Sequence, residues 1–399
     1  MVEESLNHVL RCSGYEVVKR DIVRANGCSL YDSQGKRYID FEAGVWCTLI
    51  GHNHQRVKQT IRKQIEQVIH MGYRYTNDGV EAAAAQVLNT IPLSMGKCIF
   101  LSSGSEAVEF GVQVARRITG QPLLLSLADS YLAAYGSAGR KSPEEWYCFD
   151  WGPCIECPHS NECDPECSHF MQIPFERIGG MVFEPGNASG LVKFPPKQLV
   201  GTLTNMVRRQ QGLVVIDEVT TGLGRTGDWY GFQQYSLQPD IISLGKGLGN
   251  GYPVSAVVMT NDIAERLERI SFSYAQSHQN DPLGCAIANE VVSVIREDGL
   301  IERSHRIGKY FLHELTHLEK RYDCVKEVRG RGFMIVTEFE DIEERFSLNS
   351  VFLELVKRGF MVGYKPAANI LRFYPPLTIG EDDIGQLLEN LHSILKVMN

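Results

Sequence analysis

The chain has 399 residues, of which 43% are hydrophobic and 22% charged, with a formal net charge of -8. Such a composition belongs to a soluble globular protein with room for two domains and a large core. It excludes a broad nucleic-acid surface, which needs Lys and Arg to neutralise phosphates.

No apolar run reaches the roughly 20 residues of a membrane helix. The start, "MVEESLNHVLRCSGYEVV", has no basic segment leading into an apolar one. The expectation is a cytoplasmic protein.

Residues 1–50 read as short strands and turns, because "VRANGCSLYDSQGKRYIDFEAG" alternates apolar and polar residues around Asn-Gly and Ser-Gln-Gly. From about His54 to Thr90 the pattern is helical, with Val57, Ile61, Ile65 and Ile69 predicting one apolar stripe. Then come "KCIFLSS", "PLLLSLA", "GGMVFEP", "GLVVIDE", "DIISLGK" and "PVSAVVM". These apolar runs are unbroken, as strands covered on both faces read, so the fold class is α/β with a mostly parallel central sheet flanked by helices. Beyond Asp281 a long helical region leads to "CVKEVRGRGFMIVTEFE", "ILRFYPPLTI" and a last amphipathic helix, which predicts a smaller α+β unit. The expected organisation is a large domain over 51–290 and a small one built from 1–50 and 291–399.

In "IISLGKGLGNG", Lys246 stands among four glycines. It is not a P-loop lysine, because Gly247 replaces the required Ser/Thr and Asp240 the first glycine. The dinucleotide Gly-x-Gly-x-x-Gly fails too, at Asn250 and at Tyr252. A covalent role remains: a lysine amine held close with little steric obstruction can capture an aldehyde cofactor. Pyridoxal phosphate also needs a carboxylate at its ring nitrogen, and Asp217 ends the run "GLVVIDE", where a parallel strand delivers residues to the ligand crevice. It needs an anion site as well. "LSSGSEAVEFGVQVARR" supplies a strand, Ser103-Gly104-Ser105 and a helix start, whose free N–H groups favour phosphate.

The block "VVIDEVTTGLGRTGDWYGFQQYSLQPDIISLGKGLGNGYPVSAVV" resembles the signature of class III pyridoxal-phosphate-dependent aminotransferases, of fold type I. The likeness extends to "LYDSQGKRYIDFEAGVWCTLIGHNHQRV", "SSGSEAVEFGVQVAR", "NDPLGCAIA" and "LRFYPPLTI". It implies an aminotransferase that moves an amino group from an amine or amino acid to a 2-keto acid through a Lys246 Schiff base. By the same resemblance Asp217 partners the ring nitrogen, Val219 and Tyr131 cover the two ring faces, and Gly104 and Ser105 take the phosphate. Ser277 would reach the phosphate of a neighbouring subunit, implying a homodimer. Glu184 would lie near the cofactor, and Arg372 would pair with the substrate carboxylate, with Trp46 also in the substrate pocket. Thr220 stands where the family often has glutamine, and "QNDP" is closer to the dialkylglycine decarboxylase branch. A racemase, an aminomutase or a decarboxylating transaminase on this scaffold is therefore an alternative. A metal- or redox-sensing protein on a disused scaffold is another, against which intact Lys246 and Asp217 count.

The eleven cysteines divide unevenly. Cys12, Cys28, Cys47, Cys98, Cys285 and Cys324 are scattered and read as small buried hydrophobes. Within the Cys-rich loop 148–169, "CIECPHSNECDPEC" spaces Cys154, Cys157, Cys163 and Cys167 as metal ligands, near Cys148, His159 and His169. Zinc or an iron–sulfur cluster fits four thiolates; disulfides are disfavoured in a reducing cytoplasm.

Overall fold

A computed structural model describes residues 8–10, 12–157, 163–164, 166–187, 189–340 and 347–398. His159 lies outside the described residues.

The largest sheet has seven strands, in the order Lys97–Leu101, Ser255–Met259, Ile241–Leu244, Leu213–Asp217, Ile178–Phe183, Leu123–Leu127 and Trp146–Phe149. Ser255–Met259 runs antiparallel to both neighbours, and the other pairings are parallel. Both faces are covered: Val214 and Ile216 enter one core cluster while Leu213 and Val215 enter another. That double burial is why the strands carry no polar alternation. The helix Gly104–Thr119 covers one face and Lys197–Arg209 packs on the same strands Ile178–Phe183 and Leu213–Asp217.

All six apolar runs read from the sequence are strands of this sheet. The seventh, Trp146–Phe149, is an edge strand with a mixed burial pattern, so its apolar signal is diluted. The helical stripe is corrected in part. The helix Gln55–Ile65 ends where Val57 and Ile61 have met the core, and Ile65 and Ile69 are exposed. A second helix, Asp78–Leu88, starts at the Asn77 cap, whose side chain accepts from Val80 N. Among the scattered cysteines, Cys285 and Cys324 are buried as expected, but Cys12 is exposed and Cys28, Cys47 and Cys98 are only partly covered.

The N-terminal strands Ile22–Asn26, Ser29–Asp32 and Arg37–Asp40 are extended by Phe360–Met361, which pairs parallel to Arg37–Asp40. Early and late chain thus share one sheet. A third sheet joins Val325–Arg331, Met334–Phe339, Ile370–Phe373 and Gly363–Lys365. The long helix Leu300–Arg321 packs against it.

That packing is tight at one point. A Cβ on Gly308 would overlap the backbone of Gly332, in the turn between Val325–Arg331 and Met334–Phe339. Because neither partner there is a flexible side-chain end, Gly308→Ala is expected to destabilise the fold by about 1–3 kcal/mol, the usual cost of overpacking. Denaturant unfolding checks it, and an unchanged midpoint would show that the helix can shift away.

Candidate active site

Five strands of the seven-stranded sheet end at one edge, and each is followed by residues of the site. Lys97–Leu101 leads to Ser103 and Gly104, Leu123–Leu127 to Tyr131, and Ile178–Phe183 to Glu184. Leu213–Asp217 ends on Asp217 itself, and its neighbour Ile241–Leu244 leads to Lys246. A parallel sheet collects its ligand-binding residues at such an edge.

Lys246 opens a tight turn with φ 40°, a left-handed conformation that a side-chain-bearing residue rarely adopts. Its neighbours are glycines because the turn is wedged between two other segments. A Cβ on Gly245 would lie 3.0 Å from the Gly104 Cα, and one on Gly247 would lie 2.8 Å from the Leu49 side chain. Asn250 ties the far end down: its Oδ1 accepts from Ile50 N at 3.0 Å and its Nδ2 donates to Gly51 O at 2.9 Å. So held, Lys246 Nζ donates to Thr220 Oγ1 at 2.7 Å and lies 5.0 Å from the centre of the Trp46 ring.

Asp217 is 4% exposed, and its Oδ1 accepts from Val219 N at 2.9 Å. Burial pushes its carboxyl upward and the Lys246 ammonium downward, against their mutual attraction. The next residue behaves differently. Glu218 accepts from Thr221 Oγ1, Gly231 N and Phe232 N, so both of its oxygens are held by the protein. Asp217 accepts only from Val219 N among the described residues, which leaves its other oxygen for a ligand.

Val219 presses on the helix start, where its Cγ1 lies 2.5 Å from the position of a Gly104 Cβ. The helix Gly104–Thr119 is capped by Ser103, whose Oγ accepts from Glu106 N at 3.2 Å. Ser105 Oγ accepts from Ala134 N at 2.9 Å. Tyr131 donates its backbone N–H to Glu184 Oε2 at 3.2 Å, and its side chain is half exposed while Glu184 is buried. Ser277 is exposed, and its neighbour Gln276 donates to Ser102 Oγ at 3.4 Å.

Arg372, on the strand Ile370–Phe373, is 7% exposed and stands 5.3 Å from the Trp46 ring centre. One indole therefore has two cations beside it, Lys246 and Arg372. Sequence reasoning missed the company Arg372 keeps. Its Nε meets Glu42 Oε1 at 3.4 Å, and burial pushes the Glu42 carboxyl up to about 7 despite that ion pair. Gly363 and Gly190 wall the pair, since a Cβ at either would run into Arg372, and at Gly363 into Glu42 as well. Tyr374 lies against Trp46 with ring centres 4.9 Å apart, and Arg225 Cζ is 5.8 Å from the Tyr374 ring. Arg225 is 1% exposed. Its Nη1 donates to Phe333 O and Pro375 O, while Nε, Nη2 and the Tyr374 hydroxyl have no hydrogen-bond partner among the described residues. Several such groups gathered at one place are consistent with room for a polar ligand or water there.

Trp46 and Glu42 flank a segment no strand-and-turn reading anticipates. Ala43, Gly44, Val45 and Trp46 have φ of 46°, 56°, 56° and 70°, a left-handed helical turn. For each non-glycine residue that costs about 1–2 kcal/mol. Asp40 holds the turn, accepting from Glu42 N at 2.8 Å and Gly44 N at 3.2 Å, with His52 Nε2 2.6 Å from its Oδ2.

The four loop cysteines, Cys154, Cys157, Cys163 and Cys167, are all partly buried and free of disulfides, and they lie away from these residues around a cavity of their own.

The residues near Lys246 fit pyridoxal phosphate. The Lys246 amine, a buried carboxylate with one oxygen unbonded among the described residues and the Ser103-capped helix start meet at one edge, where Gly104 and Gly245 let the backbone pack directly against Val219. Comparison with known proteins agrees. The aminotransferase class-III family model matches residues 12–131 and 158–395. An acetylornithine aminotransferase of Methanopyrus kandleri is 30% identical over 386 residues, 94% of each chain. A leucine/methionine racemase of Thermococcus litoralis is 28% identical over 395 residues, covering 92% of this chain and 89% of that one. Among solved structures, an amine transaminase from an uncultivated Pseudomonas species, in its pyridoxal-phosphate-bound form, superposes with a TM-score of 0.86 at 23% identity, covering 98% of this chain and 99% of that one. Matched over most of its length, the chain belongs to the class-III aminotransferase family, a pyridoxal-phosphate-dependent transaminase of fold type I.

Proposed function

We propose that the chain transfers an amino group from a carboxylate-bearing amine, of the kind of an N-acylated diamino acid, to a 2-keto acid. The observation that carries this is the pairing of two cationic side chains beside one indole: Lys246, half-buried, and Arg372, buried, each lie within 5.3 Å of the Trp46 ring centre. One end of a substrate can react at Lys246 while its carboxylate meets the guanidinium, which binds carboxylate with two parallel hydrogen bonds. The resemblance to an acetylornithine aminotransferase supports the same substrate class.

Lys246 would hold the cofactor's aldehyde carbon, Asp217 its ring nitrogen, Val219 and Tyr131 its ring faces, and Gly104 and Ser105 its phosphate, with Glu184 beside it. When bound, pyridoxal phosphate supplies an electron sink for the pair left when the substrate Cα–H bond breaks. Lys246 Nζ takes that proton. Burial lowers its pKa, which favours the neutral, proton-accepting amine. Thr220, which accepts from Nζ at 2.7 Å, fixes the direction of the amine. Asp217 stabilises a positive ring nitrogen, and in return that charge relieves the cost of its own burial. Trp46 and Tyr374 exclude water from the carboxylate end. The reading includes a homodimer, in which Ser277, exposed on the single chain, reaches the partner's phosphate site; a fully active monomer would remove Ser277 from it.

Lys246→Ala is expected to lose the visible absorption band of the bound cofactor and at least about 10³-fold of its transaminase activity, the upper range of a positioned proton carrier. An unchanged spectrum would defeat the assignment. In the same assays Arg372→Ala should raise KM for carboxylate-bearing donors by roughly 30–100-fold, equivalent to about 2–3 kcal/mol, and leave donors without a carboxylate nearly unaffected. Equal losses for both donor types would remove Arg372 from substrate recognition. Measured with and without a 2-keto acid, turnover also separates transamination from racemisation, which consumes no acceptor.

Glu42 gives a pH signature. Its folded-state pKa is raised from 4.5 to about 7, so the folded chain keeps a proton that the unfolded chain has released. Stability therefore falls as pH rises through that interval, and the effect is complete above it. Thermal unfolding of the cofactor-free protein should show this slope, and Glu42→Gln should make it shallower without abolishing it, because burial raises Asp217 and Glu218 to about 7 as well. Parallel curves for the two proteins would refute the assignment.

A further inference from the structure

Residues 132–157 fall in the gap between the two stretches that match the family model. The gap holds the start of the cysteine loop, a feature the amino-transfer machinery does not use.

The loop is folded around a common cavity. Cys154 closes the turn Gly152–Cys154, its N–H donating to Trp151 O at 2.8 Å. Cys167 N donates to Asp164 O at 3.1 Å, and Met171 N to Cys167 O at 3.0 Å. Cys154, Cys157, Cys163 and Cys167 all line a cavity of about 190 Å³, whose other walls include Phe170 and Leu199. Cys148 is exposed and lies outside it. Four sulfur donors thus face one enclosed space, the ligand set that a thiophilic cation takes. The four sulfurs ring the cavity without converging within 4.8 Å of one another. A cation of the right size would draw them inward.

We propose that Cys154, Cys157, Cys163 and Cys167 bind one thiophilic divalent cation, zinc, in a closed four-thiolate site that pins this loop to the helix Lys197–Arg209. Four thiol protons leave to solvent as four Zn–S bonds of about 2.3 Å form, and no electron is exchanged. Amino-group transfer moves no single electrons, so a redox-inert ion suffices and an iron–sulfur carrier has no task here. Leu199, on the wall of the cavity, belongs to that helix, which packs on the strands that carry Glu184 and Asp217.

The staple also reaches toward the active site. Trp151, three residues before Cys154, donates its indole N–H to Asp129 Oδ1 at 2.8 Å, and Asn187 Nδ2 donates to Asp129 O at 2.7 Å. Two residues further on is Tyr131. The metal thus braces the segment that presents Tyr131, a consequence that rests on the proposed role of that residue.

The test uses the full-length holoenzyme, purified under reducing conditions without chelator. Elemental analysis should give one zinc per chain, and four thiols should resist a thiol reagent until a strong chelator strips the metal. Stripping should lower the thermal midpoint by a few degrees, and zinc chloride should restore it in the wild type. The double variant Cys157→Ser/Cys163→Ser should hold no zinc and should not respond to added zinc. Metal-free protein with all four thiols reactive, or with disulfides among them, overturns the site. Iron with acid-labile sulfide overturns the zinc assignment. Metal content and midpoint are read without substrate, so their outcome is independent of the roles given to Lys246 and Arg372.

Discussion

The molecule depends on one close approach. For Lys246 to stand where its amine meets Thr220 and the Trp46 ring, its backbone must pass between the start of the helix Gly104–Thr119 and the segment around Leu49. No side chain fits on either flank, so Gly245 and Gly247 are steric requirements, and the strain of a positive φ falls on the lysine itself. The four glycines of "IISLGKGLGNG" do not serve the lysine chemically. Gly245 and Gly247 let it be gripped by two distant stretches of chain, and a lysine so gripped would have little freedom left to lose in the reaction proposed for it.

A second strained element faces the first. The left-handed turn Ala43–Trp46 is costly, and what it delivers is the placement of Glu42 at one end and Trp46 at the other. Asp40 offsets that cost with two backbone hydrogen bonds and a contact to His52. The lysine turn is also tied to the segment that follows the left-handed one, because Asn250 bonds to Ile50 and Gly51. The site is therefore one rigid constellation drawn from both ends of the chain: the sheet supplies Asp217 and Lys246, and the strands near the termini supply Glu42, Trp46 and Arg372.

The parallel sheet was legible in the sequence because burial on both faces leaves a simple signal, an unbroken apolar run. The edge strand Trp146–Phe149 was not, since half of it faces out. Ile65 and Ile69 kept the helical spacing but left the core, and a period cannot report which turns of a helix are covered. Lys246, Asp217 and Arg372 were legible through motif and resemblance. Glu42, Arg225 and Tyr374 were missed, and Thr220 was marked only as a departure from the family, because their significance is a matter of neighbours contributed by remote segments. One signal was available. Arg225 is an arginine inside the signature block between two glycine turns, and a cation there needs either solvent or a ligand.

With Arg372 taking the substrate carboxylate as proposed, the pocket around it accounts for how one site can serve two substrates. Burying a guanidinium alone is expensive, so the resting site keeps Glu42 beside it, at 3.4 Å and without a well-formed hydrogen bond. The pair is close enough to lower the cost of burial and too loose to saturate the fork of donors. An incoming carboxylate, whether on an amino donor or a keto acid, can therefore add its two hydrogen bonds without first breaking strong ones. Because the Glu42 pKa sits near neutrality, the carboxyl can take up a proton when a second negative charge arrives. Recognition of the carboxylate is then nearly indifferent to what the other end of the molecule carries. That indifference is what an enzyme needs when its donor and its acceptor must occupy the same place in turn.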